Sequence, residues 1–265
     1  MMRRELCHLW GPFSIYSYGL ALAAAILLFV WLCLRHPRRA KIISTEKFIE
    51  TVGLSLIVGL IGARLLFIVN SYDEFESIGS FFSLWNGGLS LLGGIIAIVL
   101  VMPFYLKSIN VPVLPLLDIA AIHAPLLQAI ARLGCLMAGC CYGKPTDLPW
   151  AIVYSDQQSE APLNIALHPT QIYTSIAMLL VFAFFYFYLQ KKVTIPGQLV
   201  MAYLMTEGAV RFSVDFFRDD QEYFSGDMHH TISAHQWLAL GLFTAGLVGL
   251  ILIRYTNNER YNNAQ

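Results

Sequence analysis

Charge is scarce in this chain. Of 265 residues, 13% are Asp, Glu, Lys or Arg, against about 25% in an ordinary soluble domain. The 17 basic and 17 acidic residues cancel, so no net field invites a polyanion, and no basic patch interleaved with aromatics marks a nucleic-acid surface. Cysteines are few. Cys7, Cys33, Cys135, Cys140 and Cys141 form neither a tandem CxxC, nor a Cys/His zinc spacing, nor a disulfide scaffold. By spacing alone they imply no metal and no cofactor. Strong internal repeats, low-complexity tracts and long linkers are missing too, which predicts a single domain over residues 1–265. What is present is 57% hydrophobic, with a mean hydropathy of +0.61. That composition predicts a membrane-embedded chain.

A spanning helix needs about 20 mostly apolar residues. Seven runs meet this, at about residues 15–34, 48–69, 89–106, 114–137, 169–189, 197–217 and 235–253, the third starting after the turn Asn86-Gly87-Gly88. The expected fold class is an all-α polytopic membrane protein of about seven transmembrane helices, with a small non-cytoplasmic loop region at about 142–167. Within that loop, Pro145 to Trp150 predicts a turn and residues 151–154 a short extended piece. Met1-Met2-Arg3-Arg4 precedes an apolar run too long for a signal peptide and without a small-residue cleavage site, so that run is expected to remain as a helix. Orientation follows from the short-loop cations. Placing Arg35, Arg38, Arg39, Lys41, Lys47, Lys107, Lys191, Lys192, Arg254 and Arg260 inside puts ten of the 17 basic residues in the cytoplasm, with the N-terminus outside.

This arrangement leaves Arg64, Arg132 and Arg211 near membrane depth, where an arginine costs at least about 2.5 kcal/mol at a helix centre. Such residues need a reason. Glu207, Arg211 and Asp215 fall four apart on the sixth run, with Arg218 one turn on, so all share a face. Two readings compete: an ion-pair ladder that lets Arg211 sit in lipid, or an anion site facing the bundle interior. A guanidinium grips phosphate bidentately and stays charged, which suits the second. On the fourth run His123, Gln128 and Arg132 lead into the segment Gly134 to Gly143. Its glycines suggest close approach by a ligand or another helix, and His123 reads as an interior, hydrogen-bonded histidine. Its three cysteines could pack, bond, bind metal or act as nucleophiles. A disulfide between adjacent Cys140 and Cys141 would be strained. Gly87, Gly88, Gly93 and Gly94 either permit helix packing or leave room for a lipid head group. Tyr18 either caps the same cavity or belongs to the interfacial aromatic belt.

Five motifs now stand in order: Gly87-Gly88 with Gly93-Gly94; Arg132 with Gly134; Gly143-Lys144-Pro145-Thr146; His168-Pro169-Thr170-Gln171-Ile172-Tyr173; and Arg211-Phe212-Ser213-Val214-Asp215-Phe216-Phe217-Arg218. Together, over nearly the whole chain, they resemble the bacterial prolipoprotein diacylglyceryl transferases. The resemblance implies an enzyme of the bacterial plasma membrane that moves the diacylglyceryl group of phosphatidylglycerol onto the thiol of a prolipoprotein lipobox cysteine. A thioether forms and glycerol phosphate leaves. It implies catalytic roles for Arg132 and Arg211, with Glu207, Asp215 and Cys140 as further candidates. Substrate contacts are expected from Tyr18, Gly87, Gly88, Gly93, Gly94, Gly134, Cys135, His168 and Arg218.

The chain also departs from that pattern. Leu92 stands where the family carries its usual catalytic histidine, Cys135 and Cys140 replace an asparagine and a glutamate, Glu207 replaces a tyrosine, and Asp215 a glutamate. Phosphate-binding parts are kept while proton-transfer and orienting parts have changed. A relocated base would come from Glu207, Asp215, His168 or a cysteine. Other readings are transfer of this or another phospholipid-derived group to a different acceptor, a non-catalytic phospholipid-binding protein, and an outer-face thiol-redox protein using Cys135, Cys140 and Cys141.

Overall fold

The computed structural model describes residues 5–10, 13–70, 88–219 and 232–262. The chain opens with a two-stranded sheet of β1 (Glu5–Trp10) and β2 (Phe13–Tyr16). Among the described residues seven long helices follow: α1 (Ser17–Arg35), α2 (Thr45–Asn70), α3 (Leu91–Ser108), α4 (Val113–Ala138), α5, α6 (Gln198–Asp215) and α7 (Ala234–Asn262). The fifth, α5, runs as an α-helix over Thr170–Ala183, widens to a π-helix over Phe184–Leu189 and closes at Gln190–Lys192. Ile15 and Tyr16, expected to begin the first span, belong to β2 instead.

Among the described residues six helices are long and apolar enough to cross a membrane. Helix α6 is not one of them, because its 18 residues include Glu207, Arg211 and Asp215. The run expected at 197–217 is thus helical but too charged to qualify on apolarity. The other helices turn bare hydrophobic side chains outward: Leu27 and Val69 are each 71% exposed and Phe104 is 73% exposed. Water would not tolerate so much contiguous apolar surface, whereas lipid does. The chain is a multi-pass, mostly helical membrane protein.

It forms two compact units, one of residues 1–10, 14–33 and 117–265, the other of residues 11–13 and 34–116. In the second unit α2 and α3 meet through glycines. A methyl group on Gly62 would lie 2.6 Å from the Gly93 carbonyl oxygen, and one on Gly94 would lie 2.9 Å from that of Gly59. Without side chains at these crossings the backbones pack directly. The buried Arg39 ties the turn before α2 together, donating to the carbonyls of Leu34 (2.8 Å) and Ile43 (3.2 Å) and to the Thr45 hydroxyl (3.1 Å).

In the first unit Asp118 of α4 caps α6. Its carboxylate accepts from the N–H groups of Gly197 at 2.7 Å and Val200 at 2.9 Å. An anion there meets the otherwise unpaired donors and the positive end of the helix dipole, which ties α4 to α6 at this end. Ile122, Phe185 and Leu199 form a buried cluster between α4, α5 and α6. Helices α6 and α7 again pack through glycines: a methyl on Gly208 would lie 2.5 Å from the Ala239 carbonyl oxygen, and one on Gly246 would lie 2.6 Å from that of Met201. Between α4 and α5 lies the expected loop region. It holds the short antiparallel pair β3 (Ile152–Val153) and β4 (Ala166–Leu167), the former inside the extended piece anticipated at 151–154.

Candidate active site

Arg132 stands on α4 and Arg211 on α6, and together with Gln128, Cys141, Gln171, Glu207, Asp215 and Arg218 they line one narrow crevice within the first unit. Three guanidinium groups therefore face two carboxylates. Among the described residues neither Arg132 nor Arg211 makes an ion pair or donates a hydrogen bond, and Arg211 Nε is buried without a partner. The carboxylates are held by other groups. Glu207 Oε1 accepts from Gln128 Nε2 at 2.8 Å, and Asp215 Oδ1 accepts from an Arg218 guanidinium nitrogen at 3.3 Å. The second oxygen of each acid is buried with no partner among the described residues. An ion-pair ladder along α6 is excluded for Arg211 by this geometry. A crevice that keeps two cations uncommitted is built to accept an anion.

The floor of the crevice comes from the start of α5 and the turn after α4. Thr170 Oγ1 donates to the Cys141 carbonyl at 2.6 Å, and Gln171 Nε2 donates to the Cys140 carbonyl at 2.8 Å. Both side chains are buried. Gly139 ends α4 in the left-handed region at φ 78°, its N–H returning to the Cys135 carbonyl at 2.9 Å, and Cys141 follows at φ 57°. A left-handed cysteine costs about 1–2 kcal/mol, and the two buried donors hold it there. The turn gathers the sulfurs of Cys135, Cys140 and Cys141 within 4.8 Å of one another. It is Cys141, rather than Cys140, that lines the crevice. Its thiol is held below its ordinary pKa by hydrogen bonds with Cys135 and Cys140 and, after these, by the charges of Arg132 and Arg218.

The remaining residues expected at a site are not among the side chains that line this crevice. His168 packs on Phe217 with ring centroids 5.3 Å apart and shares a hydrogen bond with the Tyr173 hydroxyl through Nδ1 at 3.2 Å, outside the crevice lining. Gly134 lets α4 approach α1: a methyl there would lie 2.9 Å from Ala21 Cβ and 3.2 Å from Tyr18 Cα. Tyr18 is thus a half-buried partner of that crossing. In the second unit Gly93 and Gly94 are packing positions, and the Gly88 carbonyl accepts from Arg64 at 2.8 Å. Gly87 lies outside the described residues. His123 is buried against the rings of Phe182 and Tyr186.

Sequence reasoning gave little weight to Asp118, Gln128, Tyr154 and Gln171. Buried Tyr154 donates to the Leu136 carbonyl at 3.1 Å and accepts from Gln171 at 3.3 Å, and burial pushes its pKa up to about 12. Thr170, Gln171 and Thr174 were the available signal, since three polar residues clustered on the first turns of an apolar helix mark a face turned from lipid.

The prolipoprotein diacylglyceryl transferase family model matches residues 4–252. A phosphatidylglycerol-prolipoprotein diacylglyceryl transferase of Clostridium tetani is 34% identical over 226 residues, 83% of this chain and 86% of that protein. One from Bordetella avium is 33% identical, covering 91% of each chain, and one from Dehalococcoides mccartyi is 31% identical, covering 92% and 87%. A family-model match over nearly the full length, on a helical membrane scaffold, with relatives above 30% identical over most of both chains, leaves one conclusion: the chain belongs to the prolipoprotein diacylglyceryl transferase family.

Proposed function

We propose that the chain transfers the diacylglyceryl group of phosphatidylglycerol to the cysteine thiol of a prolipoprotein lipobox, releasing glycerol phosphate. The observation that carries this is the pair Arg132 and Arg211, two guanidinium groups on different helices at one crevice with no carboxylate committed to either. A phosphodiester at the crevice would meet donors already charged and aimed, and the same donors would stabilise the charge that develops as the glyceryl carbon–oxygen bond breaks. Arg218, held by Asp215, adds a third positive group to the crevice lining. Glu207 and Asp215, each with a buried oxygen free of partners among the described residues, and the thiols of Cys140 and Cys141 are the groups available to handle the acceptor's proton. Leu92 can take no part in proton transfer. The names of the relatives support the donor and the acceptor, and the membrane supplies the donor laterally. In this reading the protein forms a single functional domain in the bacterial plasma membrane, N-terminus outside and C-terminus in the cytoplasm, with the α4–α5 loop on the outer side where prolipoproteins present their lipobox.

The test uses purified protein, phosphatidylglycerol labelled in its terminal glycerol and a lipobox peptide. Labelled glycerol phosphate is released in proportion to peptide and not to the same peptide with its cysteine replaced by serine. Release that ignores the acceptor thiol identifies a lipase; absence of release from folded, lipid-binding protein removes the transferase reading.

A further inference from the structure

Handling one proton needs at most one thiol, which does not account for three sulfurs gathered at one turn. Cys135 closes the last turns of α4, Gly139 and Cys141 turn the chain back through two left-handed residues, and the three sulfurs come within 4.8 Å of one another. The buried Thr170 and Gln171 pin the carbonyls of Cys141 and Cys140, so the turn is braced from α5. Tetrahedral zinc with metal–sulfur distances of about 2.3 Å places its sulfurs about 3.8 Å apart, inside the 4.8 Å within which the three sulfurs lie. No fourth Cys, His, Asp or Glu among the described residues joins the group. Three protein ligands with a vacant fourth position is the arrangement of catalytic rather than structural zinc. Cys141 also lines the crevice of Arg132 and Arg211, so one sulfur-bearing residue of the trio borders the anion site.

We propose that Cys135, Cys140 and Cys141 bind zinc as three thiolates and that the fourth position takes the acceptor's cysteine sulfur, activating it for alkylation. This rests on the transferase reading and supplies what the absent histidine would have done. A thiol that coordinates zinc gives up its proton to water. The bound sulfur then donates an electron pair to the phosphate-bearing carbon of the diacylglyceryl group, a carbon–sulfur bond forms, and the bond from that carbon to the phosphate oxygen breaks with its pair left on the oxygen of the departing glycerol phosphate held by Arg132 and Arg211. The product thioether is neutral, binds zinc weakly and leaves. No oxidant or reductant enters, and the zinc charge is unchanged.

Cobalt(II) serves as the optical probe. Full-length protein, purified in detergent, reduced and stripped by a chelator, is titrated with Co2+ and then with a lipobox peptide. The expected result is one Co2+ per chain, with thiolate-to-cobalt charge transfer and a tetrahedral ligand-field spectrum that changes on adding the cysteine peptide but not its serine counterpart. Cys135→Ser, Cys140→Ser and Cys141→Ser should each weaken binding by about 100-fold or more, while Cys7→Ser, at an exposed position, leaves it unchanged. Because wild-type protein with and without chelator already gives the comparison, a variant that fails to fold does not spoil it. Absence of a thiolate band in folded wild-type protein overturns the proposal, as does a band indifferent to the peptide thiol. Transfer measured beside the spectra separates the two levels. Activity lost on zinc removal and restored by zinc supports the proposal; equal activity without metal overturns it and leaves the transferase reading intact. A peptide-sensitive band with no transfer under any metal loading supports the metal site and overturns the transferase reading on which its proposed role depends.

Discussion

Replacing Arg211 with methionine should separate catalysis from stability. In the folded chain Glu207 is held by Gln128 at 2.8 Å and Asp215 by Arg218 at 3.3 Å, so removing the Arg211 guanidinium orphans neither acid. Methionine fills much of the aliphatic volume, and a buried nitrogen without a partner disappears with the charge. Stability should therefore change by no more than about 1 kcal/mol, equivalent to about 2–4 °C in unfolding temperature for a chain of this size. Had Arg211 bridged the two acids, its loss would cost about 3–5 kcal/mol through uncompensated buried charge. Catalysis should behave in the opposite way. Removing one preorganised donor from a developing anion costs about 10²–10³ in rate, and lysine at 211, which keeps the charge but loses the fork, should fall between. The assay is acceptor-dependent glycerol phosphate release beside thermal unfolding in the same detergent. A large fall in unfolding temperature with transfer retained would refute the reasoning, since it would make Arg211 a structural ion-pair partner.

Other perturbations follow from the same geometry. Gln128→Leu strips the partner from a buried Glu207 oxygen and should destabilise the fold by about 1–3 kcal/mol, whereas Glu207→Gln keeps an acceptor there and should cost less; thermal unfolding compares them. Gly93→Val drives a side chain into the Gly62 carbonyl and Leu66, so α2 and α3 must separate at a cost of about 1–3 kcal/mol or more, while Gly241→Ala, with nothing within 4 Å, should stabilise α7 by up to about 1 kcal/mol. Tyr154 contributes stability that is fully present below about pH 10, its unfolded pKa, and lost as pH rises through about 12, its folded pKa. Tyr154→Phe should flatten that alkaline limb, read from unfolding temperature against pH.

The helices were legible because lipid imposes a simple rule: apolar runs of spanning length must hydrogen-bond internally. Their ends were less so, since α2 starts at Thr45 and α5 continues to Lys192, where polar flanks extend helices beyond the apolar stretch. The β1–β2 pair left no signal, because its aromatic and aliphatic residues read as the approach to a span. Periodicity put Glu207, Arg211 and Asp215 on one face and left a ladder within the helix competing with an anion site, whereas the partner of Glu207 is Gln128 on another helix. Nothing local announces a contact between residues 79 positions apart. The cysteines were hidden differently. Their spacing matches no metal motif, and only the two left-handed residues at Gly139 and Cys141 fold the sulfurs together.

The mass of a peptide tests the crevice's chemistry most directly. A lipobox peptide incubated with the protein and phosphatidylglycerol of defined acyl chains should gain the mass of one diacylglyceryl group, carried on its cysteine through a bond that resists mild alkali and thiol exchange as a thioether does. Substitution of Arg132 or Arg211 should remove the product. An unmodified peptide in the presence of folded wild-type protein that binds the lipid, or a modified peptide formed equally well without both arginines, would contradict the claim that this crevice is where the phosphate leaves.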